Sequence, residues 1–201
     1  MQVRSIVSSA LLVALAAGAS RAQGSLFTNS FWYPADDAPY GSVLAHVDGD
    51  ALPDFVVANY FGDKVSVYLS AGGGFLNPMP LVSMGGTPRS VVVADFDEDG
   101  KADIASANPS QDEIAVALGD GLGGFGTAVQ FPAGTFPVWI VAGDFDEDGH
   151  LDIVVGNQSS DDLSILLGDG LGGFGAQTRY PLGSSVEQLR VADMNNDGHP
   201  D

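Results

Sequence analysis

Cysteine is absent from this 201-residue chain, which removes disulfide staples and thiolate metal sites together. Cations are scarce as well: seven Lys and Arg stand against 26 Asp and Glu, a formal charge of −19. A surface of that sign repels phosphate backbones and anionic bilayers, so no nucleic-acid partner is expected. Of only three histidines, His150 and His199 lie inside acidic stretches, and no Ser-His-Asp arrangement can be assigned. After the first two dozen residues no apolar run approaches the roughly 20 residues a spanning helix needs, so no membrane span is expected in the mature chain.

The first residues have a different character. Arg4 precedes an apolar run from Ile6 to about Gly18, and small residues follow around Ser20 and Ala22. This is the pattern of a secretory signal peptide over 1–22, cleaved after Ala22, and it implies a protein that is secreted or held at the cell surface. Loss of Arg4 and Arg21 takes the formal charge from −19 to −21.

The acids that are present are clustered. DFDEDGKAD, Asp95 to Asp103, returns as DFDEDGHLD, Asp144 to Asp152, and as the variant DMNNDGHPD, Asp193 to Asp201. The starting residues are separated by 49 and again by 49, and a period of this size marks a repeat architecture. With a fourth stretch at 48–54, these segments hold 16 of the 26 acids. Charge of one sign gathered so tightly calls for a counter-charge, and a divalent cation supplies it.

Between the acidic stretches the sequence reads as strands. Ser90–Ala94 is a short β-branched run, Ile104–Asn108 follows the loop, Ile114–Leu118 alternates, and Phe125–Phe131 follows a glycine-rich turn. The next repeat spells the same order with Trp139–Ala142, Ile153–Asn157, Leu163–Leu167 and Phe174–Tyr180. Four short antiparallel strands per period of about 40–50 residues make one propeller blade. The fold expected is therefore all-β, a β-propeller over 23–201 with blades at about 40–81, 88–132 and 138–181 and a partial one at 187–201. Phe31–Pro34 looks like the fourth-strand endings Gln130–Pro132 and Arg179–Pro181, and is expected to be an orphan outer strand of a last blade. Because closed rings need about four blades or more, an incomplete propeller is expected.

The chemistry of the acidic loop follows from its spacing. In DFDEDGKAD, positions 1, 3 and 5 are Asp95, Asp97 and Asp99, and alternate side chains of an extended segment converge on one side. Gly100 permits the sharp turn, the Lys101 carbonyl can join the acids, and Asp103 arrives from the next strand. A cage of hard oxygens suits Ca²⁺ far better than Zn²⁺ or copper. An EF-hand is excluded, because the Glu it requires at position 12 is Ser106 in one loop and Val155 in the other.

The run VVVADFDEDGKADI, with LGDGLGGF after the third strand, resembles the FG-GAP/VCBS repeat family, and the resemblance covers about Phe31 to Asp201. It implies a propeller of the integrin α-subunit type with a calcium ion, mainly structural, between strands 1 and 2 of a blade. By that resemblance Asp95, Asp97, Asp99, Lys101 (carbonyl) and Asp103 are ligands, as are Asp144, Asp146, Asp148, His150 (carbonyl) and Asp152. The last loop transfers as Asp193, Asn195, Asp197, His199 (carbonyl) and Asp201. The first loop departs from the pattern, with His46 at position 1 and Ala51 at position 6, while Asp48, Asp50 and Asp54 keep positions 3, 5 and 9. Imidazole is a poor ligand for a hard cation and Ala is strained at positive φ, so weak binding or none is expected there.

The remaining motifs have plainer readings. Gly119–Gly124 and Gly168–Gly173 lack the helix and lysine of a phosphate cradle and read as hairpin turns. Trp32, Tyr33, Trp139 and Tyr180 could stack on sugars but sit where blades pack. The function expected is a non-catalytic extracellular module that binds a protein or glycan ligand. The alternative is the propeller part of a calcium-dependent polysaccharide lyase or hydrolase whose active residues lie outside this chain.

Overall fold

Short β-branched runs bounded by Gly, Asp and Pro favour hairpins between sequence neighbours. The computed structural model describes residues 33–192, and among the described residues there are strands and no helix. β1 (Pro39–Ala45), β2 (Asp54–Asn59), β3 (Lys64–Ser70) and β4 (Leu76–Pro78) form the first sheet, with β5 (Val82–Ser83) also on β3. β6 (Ser90–Ala94), β7 (Asp103–Asn108), β8 (Glu113–Ala117) and β9 (Val129–Pro132) form the second. β10 (Pro137–Gly143), β11 (Asp152–Asn157), β12 (Asp162–Leu166) and β13 (Thr178–Pro181) form the third. Every pairing is antiparallel, and strand order follows chain order. Pro78 and Pro80, which lack an N–H, split the outer strand of the first sheet into β4 and β5.

Two core clusters join the sheets. Val56, Ala58, Val65 and Val67 of the first sheet pack with Val91, Ile104, Ala115 and Ala117 of the second. Ala105, Ala107, Ile114 and Val116 on the other side of the second sheet meet Ile140, Ile153, Val155 and Leu166 of the third. All six residues of β7 are buried, because its sheet is covered on both faces. Each fully buried Ile or Leu contributes about 1.5–3 kcal/mol by leaving water.

The outer strands differ from expectation. β9 and β13 start at Val129 and Thr178, and Phe125 and Phe174 each make only a single bridge, to Gly119 and Gly168. Gly126 and Gly175 donate back to the Leu118 and Leu167 carbonyls at 2.8 Å, which closes the hairpin and takes the chain out of the ladder. Tyr33 and Pro34 lie beside the first sheet, and the last blade that Phe31–Pro34 is expected to complete is outside the described residues. The two residues are in no strand and pack on the first sheet, where the Tyr68 hydroxyl donates to the Pro34 carbonyl at 2.5 Å and the Leu76 N–H to the Tyr33 hydroxyl at 2.9 Å. Phe31, Trp32, the leader over 1–22 and the loop 193–201 lie outside the described residues.

Candidate metal centre

Each acidic loop joins the first strand of a sheet to the second. The rungs Ala45↔Asp54, Ala94↔Asp103 and Gly143↔Asp152 place the position 9 acid at the mouth of each hairpin. All three carboxylates are fully buried, and both oxygens of each accept backbone N–H groups. Asp103 accepts from Phe96 at 2.8 Å and Gly119 at 2.8 Å, Asp152 from Phe145 at 2.8 Å and Gly168 at 2.9 Å, and Asp54 from Val47 at 2.8 Å and Ser70 at 2.8 Å. The acid thus clasps the loop to the end of the third strand. A carboxylate oxygen has a second lone pair, so the clasp leaves capacity for a cation.

The other acids are held by turns of their own making. In the second loop Asp95 accepts the N–H groups of Asp99 (3.1 Å) and Gly100 (2.9 Å), and Asp99 accepts that of Lys101 (2.9 Å). The third loop repeats this with Asp144, Asp148, Gly149 and His150 at 3.2, 3.0 and 2.9 Å. Gly100 and Gly149 have φ of 83° and 95°, and a Cβ at either would meet nothing, so glycine is required there for conformation and not for space.

Three oxygens, one from each of Asp95, Asp97 and Asp99, lie within 4.8 Å of one another. The same holds for Asp144, Asp146 and Asp152, and for Asp48, Asp50 and Asp54. Oxygens on one calcium ion, at about 2.3–2.6 Å from it, are at most about 5 Å apart, so one ion can touch all three. With carboxylates alone and no Cys or imidazole in any trio, the donors fit a hard divalent cation, and each cluster could hold a metal ion. Asp103 lies outside the second trio and Asp148 outside the third, so the loops share a donor set without sharing one geometry.

Ionisation follows this crowding. Burial pushes Asp103 above the ordinary carboxylate range, and the charges of Asp97 and Asp95 push the same way against its two backbone bonds. Asp146 is raised by desolvation in the loop and then by Asp148, Asp152 and Asp144. Asp99 is lowered by Lys101, whose ammonium sits 2.5 Å from its carboxylate and is itself raised by that contact. His150 is raised by Glu98, whose carboxylate lies 2.5 Å from Nδ1.

The first loop is built differently from the expectation. Ala51 stays out of the left-handed region, and Gly49, at position 4, takes φ of 76°. His46 does not take up the N–H groups that Asp95 and Asp144 accept; its Nδ1 faces the Leu52 carbonyl at 3.0 Å, where it can only donate. Glu98 and Glu147 also occupy position 4, at φ of 58° and 63°, a feature that reading the acids as ligands did not reveal. A side chain there points away from the cluster that positions 3 and 5 build. The position 4 residue was available as a signal in the repeat itself, since Gly49, Glu98 and Glu147 are 49 residues apart.

Stacked four-stranded antiparallel sheets, each with an acidic loop able to hold a metal ion, define a repeat protein whose unit is one sheet. The FG-GAP-like repeat model matches residues 46–106, 95–155 and 144–201, and the chain belongs to that family. No curated protein matches it. Among solved structures, a Photorhabdus luminescens Tc holotoxin pore is similar at 22% identity and a TM-score of 0.50, over 79% of this chain and 8% of that one. BBS1N in complex with ARL6DN is similar at 16% identity and a TM-score of 0.51, over 73% of this chain and 44% of that one. The chain therefore spans less than half the length of either structure, and at these identities the likeness is one of fold.

Proposed function

We propose that the chain contributes consecutive blades of a secreted, calcium-stabilised β-propeller that serves as a non-catalytic extracellular binding module for a protein or glycan. The observation that carries this reading is the triple recurrence of three carboxylate oxygens within 4.8 Å at the same connection of three successive sheets. An unneutralised cluster of this kind opposes its own folding, and an ion removes the repulsion while bridging loop to strand. At about 1 mM extracellular calcium and a Kd of about 10 µM, each filled loop adds about 2.7 kcal/mol, comparable with a disulfide in a chain that has none. Calorimetric titration with calcium, paired with thermal melts in calcium and in chelator, tests it. Two or more ions per chain and a higher melting temperature support the reading. A folded protein that takes up no calcium overturns it.

A further inference from the structure

The second and third loops touch each other through their side chains. Glu98, between the acids Asp97 and Asp99, reaches the next sheet and meets Nδ1 of His150 at 2.5 Å. His150 is position 7 of the third loop, between Asp148 and Asp152, and its side chain is free to reach out because the resemblance assigns only its carbonyl to the cation. The positive φ of Glu98 turns its side chain away from its own cluster and toward this partner. Beneath the pair lies Gly170, where a Cβ would come within 2.4 Å of His150 Nδ1 and 2.9 Å of Glu98 Oε1, so the hairpin leaves room for the contact. A second link runs in parallel: the Gly172 N–H, from the same hairpin, donates to the Phe96 carbonyl at 3.0 Å, between Asp95 and Asp97.

The spacing of 52 residues is repeated in the sequence. Position 4 of one loop and position 7 of the next are Gly49 and Lys101, Glu98 and His150, and Glu147 and His199. Where position 4 is Gly49 there is no carboxylate to reach across, and Lys101 folds back onto its own Asp99. The position 7 side chain thus meets the acid of the preceding sheet at His150 and the acid of its own loop at Lys101.

We propose that Glu98 and the His150 side chain are positioning residues that tie the second loop to the third, so that filling either with a cation preorganises the other. This rests on the reading of the two loops as calcium sites. Both partners sit within a residue or two of the acids, so an ion that fixes Asp97 and Asp99 also fixes Glu98, and through it His150. Ordering prepaid at one site is a cost the second no longer meets, and this appears as positive cooperativity.

The test is a calcium titration of the full chain and of Glu98→Gln, His150→Gln and His150→Arg, followed by calorimetry. In the wild type the second and third loops are expected to fill together in a concerted curve. Glu98→Gln and His150→Gln are expected to bind the same number of ions in independent steps, with the overall midpoint raised about twofold, the square root of a coupling of about fivefold at the lower end of the common range. His150→Arg supplies a donor long enough to reach Glu98 and is expected to restore the concerted curve. Identical curves for wild type and both Gln variants overturn the strut, as does a His150→Arg curve with the same independent steps as His150→Gln. A wild type that binds no calcium removes the underlying reading and the strut with it, and is recognised before any variant is compared. Circular dichroism of each variant in chelator excludes misfolding as the source of a change.

Discussion

The first acidic loop, His46 to Asp54, and the third, Asp144 to Asp152, hold the same number of clustered carboxylates yet are closed by different means. In the third, Asp144 accepts two backbone N–H groups, Gly149 makes the turn at position 6, and His150 is fastened to the neighbouring sheet. In the first, an imidazole replaces the position 1 acid, the left-handed residue at position 6 is missing while that at position 4, Gly49, is kept, and no carboxylate is offered to the next sheet. What both keep is the buried position 9 acid with two backbone donors. The clasp is thus common to both loops, whereas the residues around it differ.

The largest expected effect comes from removing the ion. If the second and third loops are filled, chelation withdraws about 5 kcal/mol and lowers the melting temperature by roughly 10–20 °C for a domain of this size. Melts with and without chelator check it, and an unchanged temperature would place the first and third loops on an equal footing as unliganded turns.

Next in size is the clasp. Asp152→Ala strips Phe145 and Gly168 of a charged acceptor in a buried site, and Asp54→Ala does the same to Val47 and Ser70. Each is expected to cost about 3–5 kcal/mol in chelator, where no ion contributes. Chemical denaturation gives both values. A cost confined to Asp152 would break the claim that the clasp is common to the loops.

Converting the first loop into the third sharpens the comparison further. His46→Asp with Ala51→Gly supplies the missing acceptor and the position 6 turn, and is expected to add one ion per chain and up to about 2.7 kcal/mol in millimolar calcium. An unchanged ion count by calorimetry would mean that the first loop lacks more than these two residues.

The smallest effect is that of pH, and its sign depends on calcium. Asp103 and His150 have folded pKa values above their unfolded ones, so the stability they contribute is complete at low pH and lost as pH rises through the raised values. Asp99, held low by Lys101, acts oppositely, and its contribution is lost only below the ordinary carboxylate range. In chelator, melting temperature is therefore expected to rise by a few degrees as pH falls from about 7 to about 5. In calcium it is expected to fall over the same interval, because protons compete for the ligands. Parallel slopes in the two buffers would contradict the assignment of these acids to a cation.

Much of this was legible without coordinates. The 49-residue period, the strand order and the acidic loops stand in the sequence, because side-chain alternation and turn chemistry are local rules. The outer strands were less legible: Gly126 and Gly175 end the ladder through hairpin bonds that no alternation pattern records. So were the bonds of the buried asparagines at the ends of β2, β7 and β11, of which the pattern of residues assigns Asn108 and Asn157 a place in a strand and no partner. Asn108 donates to the Met84 carbonyl at 3.0 Å and Asn157 to the Ser164 hydroxyl at 2.8 Å.

Sequence by itself determined the repeat, the antiparallel hairpins and the kind of atom each loop offers, since each depends on residues a few positions apart. Tertiary structure decided three further things. It made the position 9 acid a clasp as well as a candidate ligand, closed the first loop without a left-handed residue at Ala51, and turned Glu98 toward His150. These depend on where a third strand ends and on how far one sheet stands from the next, distances that the packing of Val, Ile and Ala between the sheets sets.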